Sequence, residues 1–149
     1  MQFQGQEQIG APSQTVWAFL VDPHHFTACA PGLENVRVVN DREFTFDVSA
    51  AGMTLRCTAA WVRLDPPRAA QLSITGGDFF GRASMTNDVQ LSDDGSQATL
   101  LHWSTEVQLS GLLGRLAGPR VASMVESLNQ DVFACLRGRI EARAEAPGT

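Results

Sequence analysis

Residues 99–140 read TLLHWSTEVQLSGLLGRLAGPRVASMVESLNQDVFACLRGRI, and the periodicity changes inside this stretch. Up to Ser110 the apolar residues alternate: Leu101, Trp103, Val107 and Leu109 fall on one side, His102, Ser104, Glu106 and Gln108 on the other. That period of two belongs to a strand with one buried face. From Gly111 onward Leu113, Leu116, Ala117, Val121, Met124, Val125, Leu128, Val132, Leu136 and Ile140 recur at helical spacing along one broad stripe. Gly118-Pro119 interrupts the composition but not the phase, since the stripe continues through Pro119. The proline removes a donor and crowds the carbonyl of Arg115, so one bent helix is expected. From Gly111 to Arg143 it would measure about 50 Å if straight. Seven strands at their lateral spacing span only about 34 Å, so this helix is long enough to cross a whole sheet.

Strand periodicity also fills the region upstream. Phe44, Phe46 and Val48 alternate with Thr45, Asp47 and Ser49, and Met53, Leu55, Cys57, Ala59 and Trp61 alternate with Thr54, Arg56, Thr58 and Ala60. Further runs lie at 70–75, with Leu72 and Ile74 inward, and at 82–91, with Met85, Asn87 and Val89 inward. The connectors NDRE, AAGM, DPPR, GGDFFG and SDDGSQ are turn material of hairpin length, which implies antiparallel neighbours. Residues 2–9 make a first strand. Ser13 is the expected N-cap of a short helix around Val16, Trp17, Phe19 and Leu20, and a second short helix over 23–28 begins at the proline of VDP.

The string is therefore strand, two short helices, about six antiparallel strands and a long helix. A one-faced sheet and an amphipathic helix must bury those surfaces against each other, which makes an α+β two-layer domain. The inward positions include large residues (Phe46, Trp61, Trp103) and small ones (Cys57, Ala59, Ala83, Thr105), and tyrosine is absent. A partly empty apolar pocket is expected between the layers, lined by Phe46, Leu55, Cys57, Ala59, Trp61, Leu72, Ile74, Met85, Asn87, Trp103, Thr105, Val125, Leu128 and Val132. Asn87 lies on the inward face, where an unpaired amide costs about 1–3 kcal/mol. Either it bonds the backbone or Thr105, or it orients a polar group on an otherwise apolar ligand. Strand parity places AAGM, GGDFFG and SGLLG at one end of the sheet. Met53, Phe79, Phe80, Leu112 and Leu113 there form a cavity mouth or partner contact, or fold back as a plug.

Composition excludes several classes. Of 149 residues, 44% are apolar, enough for one core. The net charge is −5, from 16 acidic residues against 11 basic ones, all arginine, which argues against a nucleic-acid partner. No run reaches the roughly 18 apolar residues of a membrane span, and MQFQGQEQIG lacks the regions of a signal peptide, so a soluble, cytoplasmic protein is expected. The three cysteines (Cys29, Cys57, Cys135) form no CxxC pair, and neither a disulfide framework nor a zinc knuckle is expected. His24 and His25 beside Cys29 suggest a metal site. However, adjacent helical side chains diverge by roughly 100°, and the remaining histidine, His102, lies on an outward face. No metal is expected. With neither GxGxxG nor a Walker loop in the sequence, no cofactor is expected either. Asp47, Asp88, His102 and Glu106 all have outward parity, so acid-base catalysis in the pocket is not expected.

VWAFLVDPHHFTACAPG, LDPPR, GGDFFGRASMTNDVQL and LSGLLGRLAGPRVASMVESLNQDVFACL resemble, in order and spacing, the carbon monoxide dehydrogenase CoxG family of the START-like (SRPBCC) superfamily. The resemblance implies a helix-grip fold. In it a curved seven-stranded antiparallel sheet surrounds a long C-terminal helix, with two short helices after the first strand. On that reading residues 1–143 form one domain and 144–149 a flexible tail. The resemblance further implies a non-catalytic binder of a hydrophobic molecule, quinone or lipid, acting beside a molybdenum-containing hydroxylase such as carbon monoxide dehydrogenase. Peripheral membrane contact would use Phe79, Phe80, Leu112 and Leu113 with Arg115 and Arg120. The alternatives are a polyketide cyclase or dehydratase-like enzyme, and a protein-interaction adaptor with a packed pocket.

Overall fold

The structure, a computed structural model, describes residues 1–30, 32–50, 53–78 and 81–145. The chain runs β1 (Gln2–Ile9), α1 (Ser13–Leu20), α2 (Pro23–Ala28), β2 (Leu33–Asn40), β3 (Glu43–Ala50), β4 (Met53–Asp65), β5 (Ala69–Asp78), β6 (Gly81–Asp93), β7 (Thr99–Ser110) and α3 (Gly111–Glu145). Among the described residues, seven strands form one antiparallel sheet in the order β1-β7-β6-β5-β4-β3-β2. This is the helix-grip architecture, with β1 closing onto β7 beyond the meander.

The inward faces follow the alternation. Phe44 and Phe46 on β3, Leu55, Cys57, Ala59 and Trp61 on β4, Leu72 on β5, Val89 and Leu91 on β6, and Leu101, Trp103, Thr105 and Val107 on β7 are all buried. Register shifts between Trp61 and Arg63 on β4, where Val62 is exposed, and also on β2, between Glu34 and Arg37 and between Val38 and Asn40.

α3 is a single helix through Gly118-Pro119 and extends to Glu145, two residues past the expected domain end. Residues 146–149, the rest of the expected tail, lie outside the described residues. The switch from β7 to α3 is made at Gly111, whose φ of 68° is a left-handed conformation that a side chain would strain. α3 packs chiefly on β1, β6 and β7, and on α1 and α2. Val125, Val132, Phe133, Leu136 and Ile140 form its buried stripe.

Two local expectations are corrected. Pro12, not Ser13, is the N-cap of α1, and no side chain caps that helix. The Ser13 hydroxyl instead bonds Asp93 Oδ1 at 2.5 Å, a tertiary contact that competes successfully with local capping. α2 is capped by the Asp22 carboxylate, which accepts from the His24 amide at 2.9 Å.

The second correction concerns the cysteines. Cys29, just after α2, is joined by a disulfide to Cys135 on α3, with Cα atoms 5.6 Å apart and a sequence separation of 106. Parity and CxxC spacing carry no information about such a pair. It forms because the fold lays α2 across α3, and the odd thiol, Cys57, is buried in the sheet. The expectation that the cysteines form no disulfide is therefore corrected. No described helix is long and apolar enough to cross a membrane.

Candidate functional site

Because α3 leans toward the β1-β7-β6 side, the inner faces of β3, β4 and β5 stand farther from it, and side chains do not fill the gap. A cavity of about 120 Å³ remains. This is close to the roughly 150 Å³ engineered cavity known to hold benzene, and smaller than a pocket for a drug-sized ligand, at about 300 Å³ or more.

Of the residues expected to line it, Phe46, Leu55, Cys57, Trp61, Leu72, Ile74, Met85, Asn87, Val125, Leu128 and Val132 do so. Ala59, Trp103 and Thr105 do not, although all three point inward and are buried. The Trp103 ring stacks on Phe133 of α3, with centroids 5.4 Å apart and planes at 12°, and is thereby roofed over. Ala59 is covered completely, and Thr105 sits behind two amides described below. Parity identifies which side chains face inward. Where the helix rests decides which of those meet empty space.

The sequence reading missed much of the rim. Leu20 and Phe26 from the short helices, Ala30 and Leu33 beyond them, Val48, Ala83, Ser84, Val107 and Leu109 from the sheet, and Met124, Asn129 and Phe133 from α3 also line the cavity. Asn129 could have been found, because it occupies a position four residues after Val125 in the buried stripe, where a polar residue is anomalous. The disulfide borders this region: Cys29 lies between the lining residues Phe26 and Ala30, and Cys135 lies two residues beyond Phe133. The covering helices are thus tied to the gripping helix.

Polar groups are few and organised. Register pairs Trp61 with Leu72, Leu72 with Asn87, and Asn87 with Thr105, so these four inward residues form one row across β4, β5, β6 and β7. The Thr105 hydroxyl donates to Asn87 Oδ1 at 2.6 Å and accepts from Asn129 Nδ2 at 2.9 Å. Asn87 therefore has the Thr105 partner that one of its two readings required, and it also faces the cavity. At the other end of the row, Trp61 Nε1 is buried with no hydrogen-bond partner among the described residues.

Among the described residues, Cys57 is the lone titratable group lining the cavity. Burial, with a smaller contribution from the Asp47 charge, pushes its thiol above the ordinary value of 9.0, which keeps it protonated and weakly nucleophilic. Asp47 accepts from Arg56 Nε at 2.6 Å and from Asn35 Nδ2 at 2.9 Å, and Asp88 accepts from Gln71 at 3.0 Å. Neither carboxylate lines the cavity, nor do His102 and Glu106. His25 packs its ring on Phe19 with centroids 4.2 Å apart, and no cluster of three or more His, Cys, Asp or Glu suited to a metal occurs among the described residues.

The expected mouth cannot be traced. Phe79 and Phe80 lie outside the described residues, as do the side chains of Met53, Leu112 and Leu113. Arg115 and Arg120 are exposed on α3.

Comparison with known proteins agrees with the geometry. Residues 5–141 match the carbon monoxide dehydrogenase CoxG family. No curated protein matches the sequence. Among solved structures, a conserved protein from Geobacillus kaustophilus is similar with a TM-score of 0.80 at 15% identity, covering 94% of this chain and 95% of its own. The Zhui aromatase/cyclase from Streptomyces sp. R1128 has a TM-score of 0.77 at 18% identity, covering 99% and 98%. A START superfamily protein from Mycobacterium smegmatis has a TM-score of 0.63 at 16% identity, covering 97% of each chain. At these identities the structural likenesses speak for the fold alone.

Proposed function

The chain belongs to the carbon monoxide dehydrogenase CoxG family, and from that premise we propose that it is a non-catalytic carrier of a hydrophobic small molecule of the lipid or quinone type. One observation carries this reading: unfilled space persists between sheet and helix, and its walls are almost wholly apolar. Empty apolar space costs stability, because the lining atoms forgo contacts they would otherwise make. An occupant recovers that loss. A packed adaptor, the third reading, has no such space.

An enzyme of the cyclase or dehydratase type needs a proton donor or acceptor at the reacting atoms. The lining supports no such role, since its titratable group is a thiol held neutral by burial. The cyclase among the structural neighbours shares the scaffold, and chemistry does not transfer with a scaffold. The partner that would receive the cargo is, in this proposal, a molybdenum-containing hydroxylase of the carbon monoxide dehydrogenase kind, with delivery on the cytoplasmic side of a membrane.

Native mass spectrometry of the purified chain, followed by organic extraction, tests the proposal. A bound neutral lipid or quinone is expected, or uptake of a supplied one at about one per chain. A chain that neither retains nor takes up any apolar compound would overturn it.

A further inference from the structure

The polar row places hydrogen-bonding groups where a carrier of plain hydrocarbon would have none. Asn87 and Asn129 are each 8% exposed, Thr105 2% and Trp61 5%. A hydroxyl has one proton, so Thr105 donates to one amide and accepts from the other. Whichever way that proton points, one asparagine keeps its NH2 outside this pair of bonds and the other its C=O. In the arrangement seen, Asn87 keeps the donors and Asn129 the acceptor. Both residues line the cavity, as does Trp61, whose indole nitrogen is itself buried away from the open space and has no hydrogen-bond partner among the described residues. An indole nitrogen can only donate.

A hydrocarbon filling this space would leave the Asn87 donors dry and unpaired, at the cost of their desolvation. An anion fares worse, because no arginine, lysine or histidine lines the cavity among the described residues, and a buried charge needs a partner. Resting on the carrier reading above, we infer that the site selects a neutral apolar molecule bearing a carbonyl-type acceptor oxygen, held by Asn87 Nδ2–H. Asn129 Oδ1 stands ready for a neighbouring hydroxyl. Thr105 is a positioning residue, since it orients both amides without lining the cavity.

The test compares three single-ring probes matched in shape: acetophenone, ethylbenzene and benzoate, titrated against the full chain by NMR. The cavity is about the size of one such ring. Acetophenone is expected to bind at least as tightly as ethylbenzene although water solvates its oxygen better, and benzoate is expected to bind most weakly. In Asn87→Leu the ratio of the two neutral affinities should move about tenfold toward ethylbenzene, while ethylbenzene still binds, which also shows that the variant folds. Trp61→Phe, which keeps an aromatic ring and removes only a nitrogen buried away from the open space, should leave the ratio unchanged. The carbonyl carbon of ¹³C-labelled acetophenone bound to the parent chain should resonate downfield of its position when bound to Asn87→Leu, a signature that a purely structural asparagine would not produce. If both neutral probes bind and Asn87→Leu leaves their ratio unchanged, the inference fails and the carrier reading stands. If no probe binds at all, both fail.

Discussion

Gly5 lies against Trp103 in the β1-β7 pairing, and a Cβ built on Gly5 would come within 2.5 Å of the indole ring. The missing side chain is what allows Trp103 to lie flat beneath Phe133. Gly5→Ala should therefore lower stability by roughly 1–3 kcal/mol through overpacking. Chemical denaturation would show a lower midpoint with an unchanged slope. A neutral effect would mean that the indole has room to shift.

The Cys29–Cys135 bond closes a loop of 106 residues in separation. Removing a crosslink of that span typically costs about 2–5 kcal/mol, chiefly by releasing the unfolded chain. Cys135→Ser, or the parent in excess reductant, should unfold at correspondingly lower denaturant. Intact mass after alkylation under denaturing conditions should show one reactive thiol, Cys57, before reduction and three after.

Filling the cavity should abolish uptake without unfolding the chain. Ala83 lines the space from β6 and is only partly buried. Ala83→Leu should reduce affinity for a one-ring hydrocarbon probe at least tenfold while changing stability by about 1 kcal/mol or less, because the added carbons occupy existing room. Retained affinity would place the binding site elsewhere.

Asn35 and Arg56 bond the Asp47 carboxylate and hold its pKa below the ordinary 3.8. A carboxylate whose folded pKa is depressed contributes stability above its unfolded pKa, and the contribution disappears as pH falls toward the folded value. Thermal melts from about pH 5 down to pH 2 should therefore show a steeper acid loss for the parent than for Asp47→Asn. Identical slopes would remove Asp47 as a source of acid sensitivity.

The fold was legible because two periodicities meet at Ser110 and the connectors are short. No step in that reading needed distant pairs of residues. The site was legible only as far as parity reaches. Inward parity holds equally for Leu72, which meets the cavity, and for Trp103, which meets Phe133, and only the resting place of α3 separates them. Asn129 escaped a search for apolar stripes because it is the polar member of one. The pairing of Cys29 with Cys135 depends on how α2 lies over α3, a relation that spacing along the chain does not encode.

The modest size of the cavity sets a rule for cargo. In the proposed carrier role, room for about one ring would make a molecule with a long isoprenoid or acyl chain enter by its headgroup and trail the remainder beyond the protein's envelope. Such a tail would stay within reach of whatever apolar surface the protein next meets, so unloading would hand over the tail first and the ring last, and loading would run in the reverse order.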